Sequence, residues 1–361
     1  MKVISKNILL ISPEPWDHIF VSKHHYAIHL SKRGNSVFFL NPPTRTKISI
    51  QSTQYSNLKQ INYSGFIPGL RFLPKIIKRT IIKRMIEKFE KFCAVQFDII
   101  WSFDNSVFYD LSNLPQAVIK ISHIVDLNMD FNVRVAAKTS SICFCTTSRI
   151  KKRLGKYNNN TFMINHGLSL PEKDVAVTIL PGENRLKAVY VGNLLMKYLD
   201  WKILLQAAIK MSDVDFIFFG PGASSFDESS FDQDKKKIHD LHNVYFPGRI
   251  SSDKIPAVLR ASDVLLIAYK ENHHSDQANP HKVMEYLYSG KPIVATYTEE
   301  YAEKDLLQMT YRNHEWSGLL REVVSNLDKY NARDLADRRI AFALDNTYDR
   351  QIDRIEILLK K

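Results

Sequence analysis

Residues 268–296 of the sequence read AYKENHHSDQANPHKVMEYLYSGKPIVAT, and this stretch combines two apolar runs with a polar loop and a helix-like segment between them. An apolar strand ends at Tyr269, and a polar loop follows it. The pair Asn279–Pro280 is typical of a helix start because proline suits the first turn, so we predict a helix over 280–289. Backbone amides at a helix start can hold a phosphate group. A serine–glycine pair then predicts the end of this helix, before a second strand that is led by a proline.

Short apolar runs alternate with amphipathic stretches along the rest of the chain as well. The polar stretch 169–185, with two prolines, separates two series of candidate strands. Strands that alternate with helices indicate parallel sheets covered on both faces. We therefore predict an α/β chain with domains at 1–170 and 171–345, and a helix at 346–361 that packs back toward the first domain. The candidate strands are 7–12, 36–40, 97–101, 117–121, 141–146, 161–165, 186–192, 214–220, 243–246, 263–269 and 291–296.

Composition and motifs argue against several classes of protein. The 361 residues are 45% hydrophobic and 24% charged, which is typical of a globular chain. No apolar run reaches the roughly 18–20 residues of a membrane span, and the first residues lack a signal-peptide pattern. Three cysteines form no even disulfide framework, so a reducing cytoplasm is the simplest setting. Because G-x-G-x-x-G and G-x-x-x-x-G-K-[ST] are both absent where they would be needed, dinucleotide oxidoreductases and P-loop NTPases are disfavoured.

The net charge of +12 is unevenly distributed along the chain. The first 175 residues carry +14 and the remainder carries −2, which suggests that the first half faces an anionic membrane surface or nucleic acid. The basic stretch 73–92 predicts an amphipathic helix. Such a helix can lie on an anionic bilayer, or its apolar stripe can pack on the domain core while its charges are solvated. The apolar positions of the stripe are Ile77, Ile81, Met85, Phe89 and Phe92.

Four stretches of the second half resemble, in the right order, the donor domain of GT-B glycosyltransferases. The resemblance is to the group related to family 4 and to teichuronic-acid and capsule glycosyltransferases. Its motif P-x-K-x-x-E-Y-L-x-x-G-K-P-[IV]-V-A is matched from Pro280 to Ala295, and the other stretches are 188–208, 216–222 and 243–269. The resemblance implies two Rossmann-like parallel-sheet domains that face a central cleft, with the donor site in the second and the acceptor site in the first.

The resemblance also implies roles for the matching residues. Glu285 would accept hydrogen bonds from ribose hydroxyls, as an ionised carboxylate can. Lys282 and the amides at the helix start would neutralise the diphosphate, and the turn 248–250 would contact the base through backbone groups. A helix-surface glutamate, a solvated lysine and a simple strand-end turn are the structural alternatives. The predicted donor-binding residues are Gly248, Arg249, Ile250, Asn279, Pro280, His281, Lys282 and Glu285.

Two features depart from the pattern of that group. Many family 4 members carry a second glutamate eight positions before the matching one, and this chain has Gln277 there. The arginine and lysine that usually follow the first donor-domain strand are also missing, since Asn193 and Tyr198 stand near those places. The diphosphate charge must then be met by Lys282, by Arg249 or by the first domain. Whether transfer retains or inverts the anomeric configuration is left open.

The first domain should supply the acceptor site and any general base. His123 and Asp126 lie beyond the predicted strand at 117–121, and His25 lies in the first predicted helix. A histidine can take a proton from an acceptor hydroxyl near neutral pH, and a carboxylate can orient it. A purely structural role is the alternative for each. The predicted catalytic residues are His123, Asp126 and His25, with His24 and Asp104 as further candidates.

These features together predict a glycosyltransferase that acts on a nucleotide diphosphate sugar, with UDP favoured over GDP. The acceptor would be a hydroxyl of a glycan or lipid-linked glycan in bacterial surface polysaccharide synthesis. We expect no cofactor and no metal, a contact of the 73–92 helix with an anionic membrane, and a cytoplasmic location at the inner face of the cell membrane. The alternatives are a nucleic-acid-binding protein, for which no recognisable module is found, and a nucleotide-sugar epimerase or phosphorylase of the same architecture.

Overall fold

The structure is a computed structural model that describes residues 2–18, 20–66, 69–126, 132–171, 178–222, 233–275 and 277–360. The chain forms two compact units. Unit 1 comprises Met1–Gly167 and Tyr348–Lys361, and unit 2 comprises Leu168–Thr347. Within the described ranges, no helix has both the length and the apolar composition needed to cross a membrane.

Unit 1 contains an eight-stranded sheet with the order β3-β4-β2-β1-β5-β6-β7-β8. Its neighbouring strands are parallel, except that β3 and β4 are antiparallel. The strands are β1 (Asn7–Ile11), β2 (Ser36–Leu40), β3 (Ser49–Ser52), β4 (Leu58–Asn62), β5 (Ile99–Ser102), β6 (Ile119–Ile124), β7 (Ile142–Cys145) and β8 (Thr161–Met163). The helices of this unit are α1 (Ser22–Lys32), α2 (Lys75–Cys93), α3 (Val133–Thr139), α4 (Ser148–Leu154) and α12 (Tyr348–Leu358).

Helices cover both faces of this sheet. In β1, Ile8 and Leu10 join one apolar cluster while Leu9 and Ile11 join another, as the two-residue period of a strand requires. The almost uniformly apolar strand NILLI is therefore explained by burial on both sides. The clusters that cover the two faces include side chains from α12 on one side and α2 on the other.

Helix α12 packs on α1 within unit 1. Its buried residues Tyr348, Ile352 and Ile355 belong to the same cluster as Ile8 and Leu10 of the first strand. At the surface, Arg33 donates from Nε to Asp349 at 3.2 Å and from Nη1 to Asp353 at 2.8 Å. Such exposed pairs contribute little stability, so the apolar contact holds the helix in place.

Unit 2 contains a six-stranded, all-parallel sheet with the order β11-β10-β9-β12-β13-β14. The prediction of parallel α/β architecture is confirmed for both halves of the chain. The strands are β9 (Leu186–Val191), β10 (Val214–Phe219), β11 (Val244–Gly248), β12 (Val264–Ile267), β13 (Ile293–Thr296) and β14 (Gln308–Thr310). The helices are α5 (Trp201–Lys210), α6 (Gln233–His239), α7 (Ile255–Ala261), α8 (Val283–Tyr288), α9 (Trp316–Ser325), α10 (Leu327–Tyr330) and α11 (Arg333–Asp345).

The strand order of unit 2 reverses between β9 and β12. The chain runs outward from β9 through β10 to β11, and then returns to the other side of β9 with β12, β13 and β14. In open parallel sheets, ligands bind beyond the carboxyl ends of the strands at such a switch point. We therefore expect a binding site among the residues that follow β9 and β12.

Candidate functional site

The stretch 268–296 supplies the loop and helix that follow β12 at this switch point. Its helix is shorter than the predicted 280–289, because α8 runs only over Val283–Tyr288 with Lys282 at its N-cap. A six-residue helix aligns few peptide dipoles, so the expected phosphate site on its backbone amides is not supported. The positive charge at this place therefore comes from the side chain of Lys282.

Tyr286 fixes α8 against the carboxyl end of β9. Its buried hydroxyl oxygen accepts a hydrogen bond of 2.8 Å from the backbone N–H of Val191, the last residue of the strand. At the other end of the helix, Gly290 has a φ of 75° and its carbonyl accepts from Arg339 at 2.9 Å. The tyrosine and glycine of the matched motif thus hold the helix at the switch point.

Lys282 places a buried ammonium group on an aromatic ring of β9. Its Nζ lies 3.7 Å from the centroid of the Tyr190 ring, which is the geometry of a cation–π contact. The ammonium has no hydrogen-bond partner among the described residues. Burial lowers the pKa of Lys282 to about 7, and the neighbouring Glu285 opposes this shift. An ammonium group carries three donors, so this one is available to an anion.

The ammonium has room because residue 192 is a glycine. A Cβ on Gly192 would overlap the Nζ of Lys282 and lie 2.9 Å from the hydroxyl oxygen of Tyr190. Sequence reasoning missed both Tyr190 and Gly192 as parts of the site. The signal that could have found Gly192 is the glycine that directly follows an apolar strand.

Glu285 lies three positions further on, on α8. Its side chain is half-buried and makes no hydrogen bond with a described residue. Burial raises the pKa of Glu285 to about 7, and the charge of Lys282 opposes the rise. The structure thus brings the two charged residues of the predicted motif together, and the carboxylate is free to accept hydrogen bonds from hydroxyl groups.

Glycines lie at the ends of three adjacent strands. Gly192, Gly220 and Gly248 stand at the carboxyl ends of β9, β10 and β11. A Cβ on Gly220 would overlap the carbonyl of Gly192. The backbone N–H of Gly220 donates to the carbonyl of Gly248 at 2.9 Å. Arg249 is exposed and Ile250 is half-buried beyond this edge. The predicted base-contacting turn therefore lies on the same edge of the sheet as Gly192.

The other predicted residues of the donor segment have structural contacts. Asn279 is buried, and its Oδ1 accepts from the hydroxyl of Tyr301 at 3.1 Å. Pro280 is buried, and His281 is half-buried in the turn that leads into α8. Gln277, which stands where many family 4 members have glutamate, is half-buried. Asn279 and Pro280 therefore shape the loop that presents Lys282.

Two positions where an arginine or lysine was expected have packing roles. Asn193 accepts from the N–H of Leu195 at 2.9 Å, which stabilises the turn after β9. The ring of Tyr198 packs edge-on against Tyr269, with 5.6 Å between centroids. Neither residue supplies a cation, whereas Lys282 places one at this switch point.

His123 lies within the core of unit 1 rather than beyond a strand. Strand β6 extends to Ile124, three residues past the predicted end, and the imidazole is only 1% exposed. It stacks on Phe103 at 4.7 Å, and burial lowers the pKa of His123 to about 3. The expectation that it lies just beyond the strand is therefore wrong. A neutral imidazole can accept a proton, but an acceptor hydroxyl reaches it only if neighbouring side chains move.

Asp126 follows β6 by two residues, and its side chain is exposed. Partial loss of hydration raises the pKa of Asp126, while Lys23 lowers it and Glu14 adds to the rise. Lys23, at the start of α1, forms an ion pair with Glu14, which lies in the loop after β1. An accessible carboxylate with a raised pKa is a suitable proton acceptor.

The remaining candidates of unit 1 have clear structural contacts. His25 stacks on Tyr348 of α12, with ring centroids 4.8 Å apart. The Nδ1 of His24 accepts from the N–H of Val21 at 3.2 Å and thereby caps α1. Asp104 is buried and accepts from the backbone N–H of Ser106 at 2.7 Å. These contacts account for His24 and Asp104 without a catalytic role.

A second feature of unit 2 was not foreseen from the sequence. A cavity of about 1060 Å³ lies beside the start of α5, and its lining includes Trp201, Lys235 and Lys270. Lys235 is buried, with its Nζ 5.7 Å from the centroid of the Trp201 ring. The predicted donor residues do not line this cavity.

The described ranges contain no group of three or more His, Cys, Asp or Glu residues arranged to hold a metal ion. An Asp-x-Asp pair does occur at 213–215. Asp215 is fully buried and accepts from Lys187 Nζ at 2.6 Å, while Asp213 pairs with Arg321 at 3.2 Å. Both carboxylates of this pair are thus held in contacts within unit 2.

The two α/β units have the fold of GT-B glycosyltransferases. Sucrose-phosphate synthase of Thermosynechococcus elongatus superposes with a TM-score of 0.71 at 12% identity, covering 98% of each chain. Alr3699/HepE of Anabaena, solved in complex with UDP and glucose, gives a TM-score of 0.67 at 15% identity over 99% of this chain and all of that one. At these identities the likeness establishes the fold.

Sequence comparison then relates the second unit to a particular family. Residues 185–320 match the family model described as "Glycosyl transferases group 1". A relative, the putative teichuronic acid biosynthesis glycosyltransferase TuaH of Bacillus subtilis strain 168, is 28% identical over 139 residues. The alignment covers 36% of this chain and 34% of that protein, so it spans about a third of each.

Proposed function

We propose that this chain is a glycosyltransferase that moves a sugar from a nucleoside diphosphate sugar to a hydroxyl group. The observation that carries the proposal is the pair of Lys282 and Glu285 at the switch point of unit 2. A buried ammonium without a hydrogen-bond partner and a free carboxylate stand together where parallel sheets bind ligands. The match of residues 185–320 to glycosyl transferases group 1 covers both.

The chemistry of the pair suits such a donor. The diphosphate becomes the leaving group when the bond to the sugar breaks, and a fixed cation nearby stabilises the charge that develops on it. Lys282 would fill this role, since its ammonium has no competing partner. The carboxylate of Glu285 would accept hydrogen bonds from two hydroxyls of the ribose. The glycine-ended strands would let a phosphate approach the backbone closely.

We favour UDP over GDP as the nucleotide of the donor. Alr3699/HepE of Anabaena, which shares the fold, was solved with UDP-glucose. In this chain the turn at Gly248, Arg249 and Ile250 would contact the base through its backbone. The donor is thus proposed to bind along the carboxyl edge of β9, β10 and β11, with Lys282 at the diphosphate. We propose that neither a metal ion nor a cofactor is required.

The proposed acceptor is a glycan or lipid-linked glycan of a bacterial surface polysaccharide, and the site of action is the inner face of the cell membrane. The similarity to TuaH, a putative teichuronic acid glycosyltransferase, supports this choice. Asp126 would take the proton from the acceptor hydroxyl, because its carboxylate is exposed and has a raised pKa. His123 and His25 would act only indirectly, through the packing of unit 1.

Calorimetric titration of the purified chain with UDP-glucose and GDP-glucose tests the donor assignment. We expect UDP-glucose to bind and Lys282→Met to lose about 10- to 150-fold in affinity, as the loss of one charge-assisted hydrogen bond implies. Lys291→Met is a matched control, because this half-buried lysine lies just before β13, at the amino end of a strand and away from the carboxyl ends where the donor is proposed to bind. Equal affinities of wild type and Lys282→Met would contradict the assignment. Turnover of the nucleotide sugar without any acceptor would instead indicate an epimerase.

A further inference from the structure

Helix α2 carries the basic stretch of the sequence and presents two different faces. Ile82, Ile86 and Phe89 are buried in the cluster that covers one face of the unit 1 sheet. Of the apolar stripe predicted from the sequence, Phe89 and Met85 contact this cluster, whereas Phe92 at its end is 53% exposed. The stripe as a whole is therefore unable to dip into a membrane.

Other apolar side chains of this region are exposed. Phe72, just before the helix, is 78% exposed, and Ile76 and Ile77 in its first turn are 76% and 46% exposed. Each of these large apolar groups would be more stable out of water. Four exposed cations share the helix with them. We call this set the α2 surface: Phe72, Ile76, Ile77, Lys75, Arg84, Lys88 and Lys91.

The cations of the α2 surface are distinct from the paired ones on the same helix. Arg79 donates to the buried Asp110 at 2.9 Å, and Lys83 lies 3.6 Å from Glu87. In contrast, Lys75, Arg84, Lys88 and Lys91 form no ion pair or hydrogen bond with a described residue through their side chains. The exposed side of α2 therefore carries these four unpaired cations, and large apolar side chains are exposed at its amino-terminal end and at Phe92.

We propose that the α2 surface docks on an anionic lipid bilayer, with Phe72, Ile76 and Ile77 inserted at the interface and the four cations over the headgroups. Aromatic and aliphatic side chains beside lysines and arginines are the composition that interfacial helices use. A nucleic acid could pair with the cations but would leave the phenylalanine and isoleucines in water. The inference deepens the proposed function by naming the surface where a lipid-linked acceptor would be met, and its test needs no catalytic activity.

Sedimentation with vesicles tests the docking of the full chain. We expect binding to vesicles of phosphatidylcholine mixed with phosphatidylglycerol, and little binding to phosphatidylcholine alone. Salt should release the protein, since the Debye length falls from about 10 Å at 0.1 M to about 3 Å at 1 M. Two multiple variants should each bind at least roughly tenfold more weakly, given about fivefold per cation. One changes the four cations to glutamine, and the other changes Phe72, Ile76 and Ile77 to serine.

Matched controls change the same chemistry elsewhere. Lys138, Lys151, Lys152 and Lys156 of unit 1 are exposed, and their glutamine variant removes the same charge. Ile179 and Ile209 are 95% and 60% exposed in unit 2, and they provide the serine control. The controls should bind vesicles nearly as wild type does. Equal losses in the controls and the α2 variants, or no loss in either, would overturn the proposal.

A fluorescent reporter keeps the inference testable if a multiple variant fails to fold. The four native tryptophans are buried, so Phe72→Trp adds an exposed one. Brominated phosphatidylglycerol vesicles should quench this added signal, while Ile179→Trp should stay unquenched. An unquenched Phe72→Trp with vesicle-bound protein would place the contact elsewhere. Calorimetry with UDP-glucose, run in parallel, reports separately on the proposed function.

Discussion

Substitution of Gly192 by alanine should disable the donor site without replacing a charged residue. The added Cβ would overlap the Nζ of Lys282 and lie 2.9 Å from the hydroxyl oxygen of Tyr190. The lysine must then leave its position over the Tyr190 ring, where its Nζ is 3.7 Å from the centroid. No φ change is needed, because Gly192 lacks a positive φ.

The size of the effect follows from the contact that is lost. A hydrogen bond to a charged group contributes about 1.5–3 kcal/mol, so affinity for UDP-glucose should fall roughly 10- to 150-fold. Overpacking at this site should also cost about 1–3 kcal/mol of the free energy of unfolding. The fold should survive, since only the tip of a lysine and one hydroxyl are displaced.

A double-mutant cycle with calorimetry isolates the cause. In a Lys282→Ala background the ammonium is already gone, so Gly192→Ala should cost almost no further affinity. Tyr190→Phe, which removes the hydroxyl and keeps the ring, should bind UDP-glucose nearly as wild type does. Additive losses for Gly192→Ala and Lys282→Ala would refute the idea that the glycine makes room for the lysine. Wild-type affinity in Gly192→Ala would refute it as well.

Three further predictions concern pH, proton transfer and stability. Because burial brings the pKa of both Lys282 and Glu285 to about 7, donor affinity should fall above pH 7 as the lysine loses its proton and below pH 7 as the glutamate gains one. Calorimetry across pH measures this profile of donor affinity. Lys282→Met should remove the fall in affinity above pH 7, and Glu285→Gln should remove the fall below pH 7. A wild-type affinity that does not change with pH would contradict this. Asp126→Asn should lower kcat by ~10²–10⁴-fold with donor affinity unchanged, and a change confined to KM would make Asp126 an acceptor-positioning residue. His123→Ala should lower the midpoint of thermal unfolding because it leaves a cavity among aromatic rings, whereas lost turnover at unchanged stability would return the general-base role to His123.

The parts of the fold that follow from local patterns were predictable. Apolar runs such as NILLI and SVFFL became β1 and β2 because buried parallel strands are apolar on both faces. Strands β3 and β4 were missed, since SIQS and LKQIN are mostly polar and lie at one edge of the sheet. Strand β14 was missed because its sequence QMT has a single apolar residue between two polar ones.

The site was predictable only where its residues are close in sequence. The motif brought Lys282 and Glu285 together correctly, because two residues three positions apart on one short segment stay near each other. The contact of Lys282 with Tyr190 and Gly192 joins β9 to the loop after β12, and no local sequence pattern predicts a contact between segments so far apart. His123 was misplaced because β6 is longer than its apolar core suggests. The side chain of His123 is buried against neighbouring strands and helices. This burial is a tertiary property, and the sequence of β6 alone does not encode it.

A crystal structure of the chain with UDP would show whether Lys282 binds the diphosphate. We expect a diphosphate oxygen about 3 Å from the Nζ of Lys282, within hydrogen-bond distance, and the ribose hydroxyls on the carboxylate of Glu285. UDP bound instead in the cavity lined by Trp201 and Lys270, with the Lys282 ammonium still alone over Tyr190, would contradict it.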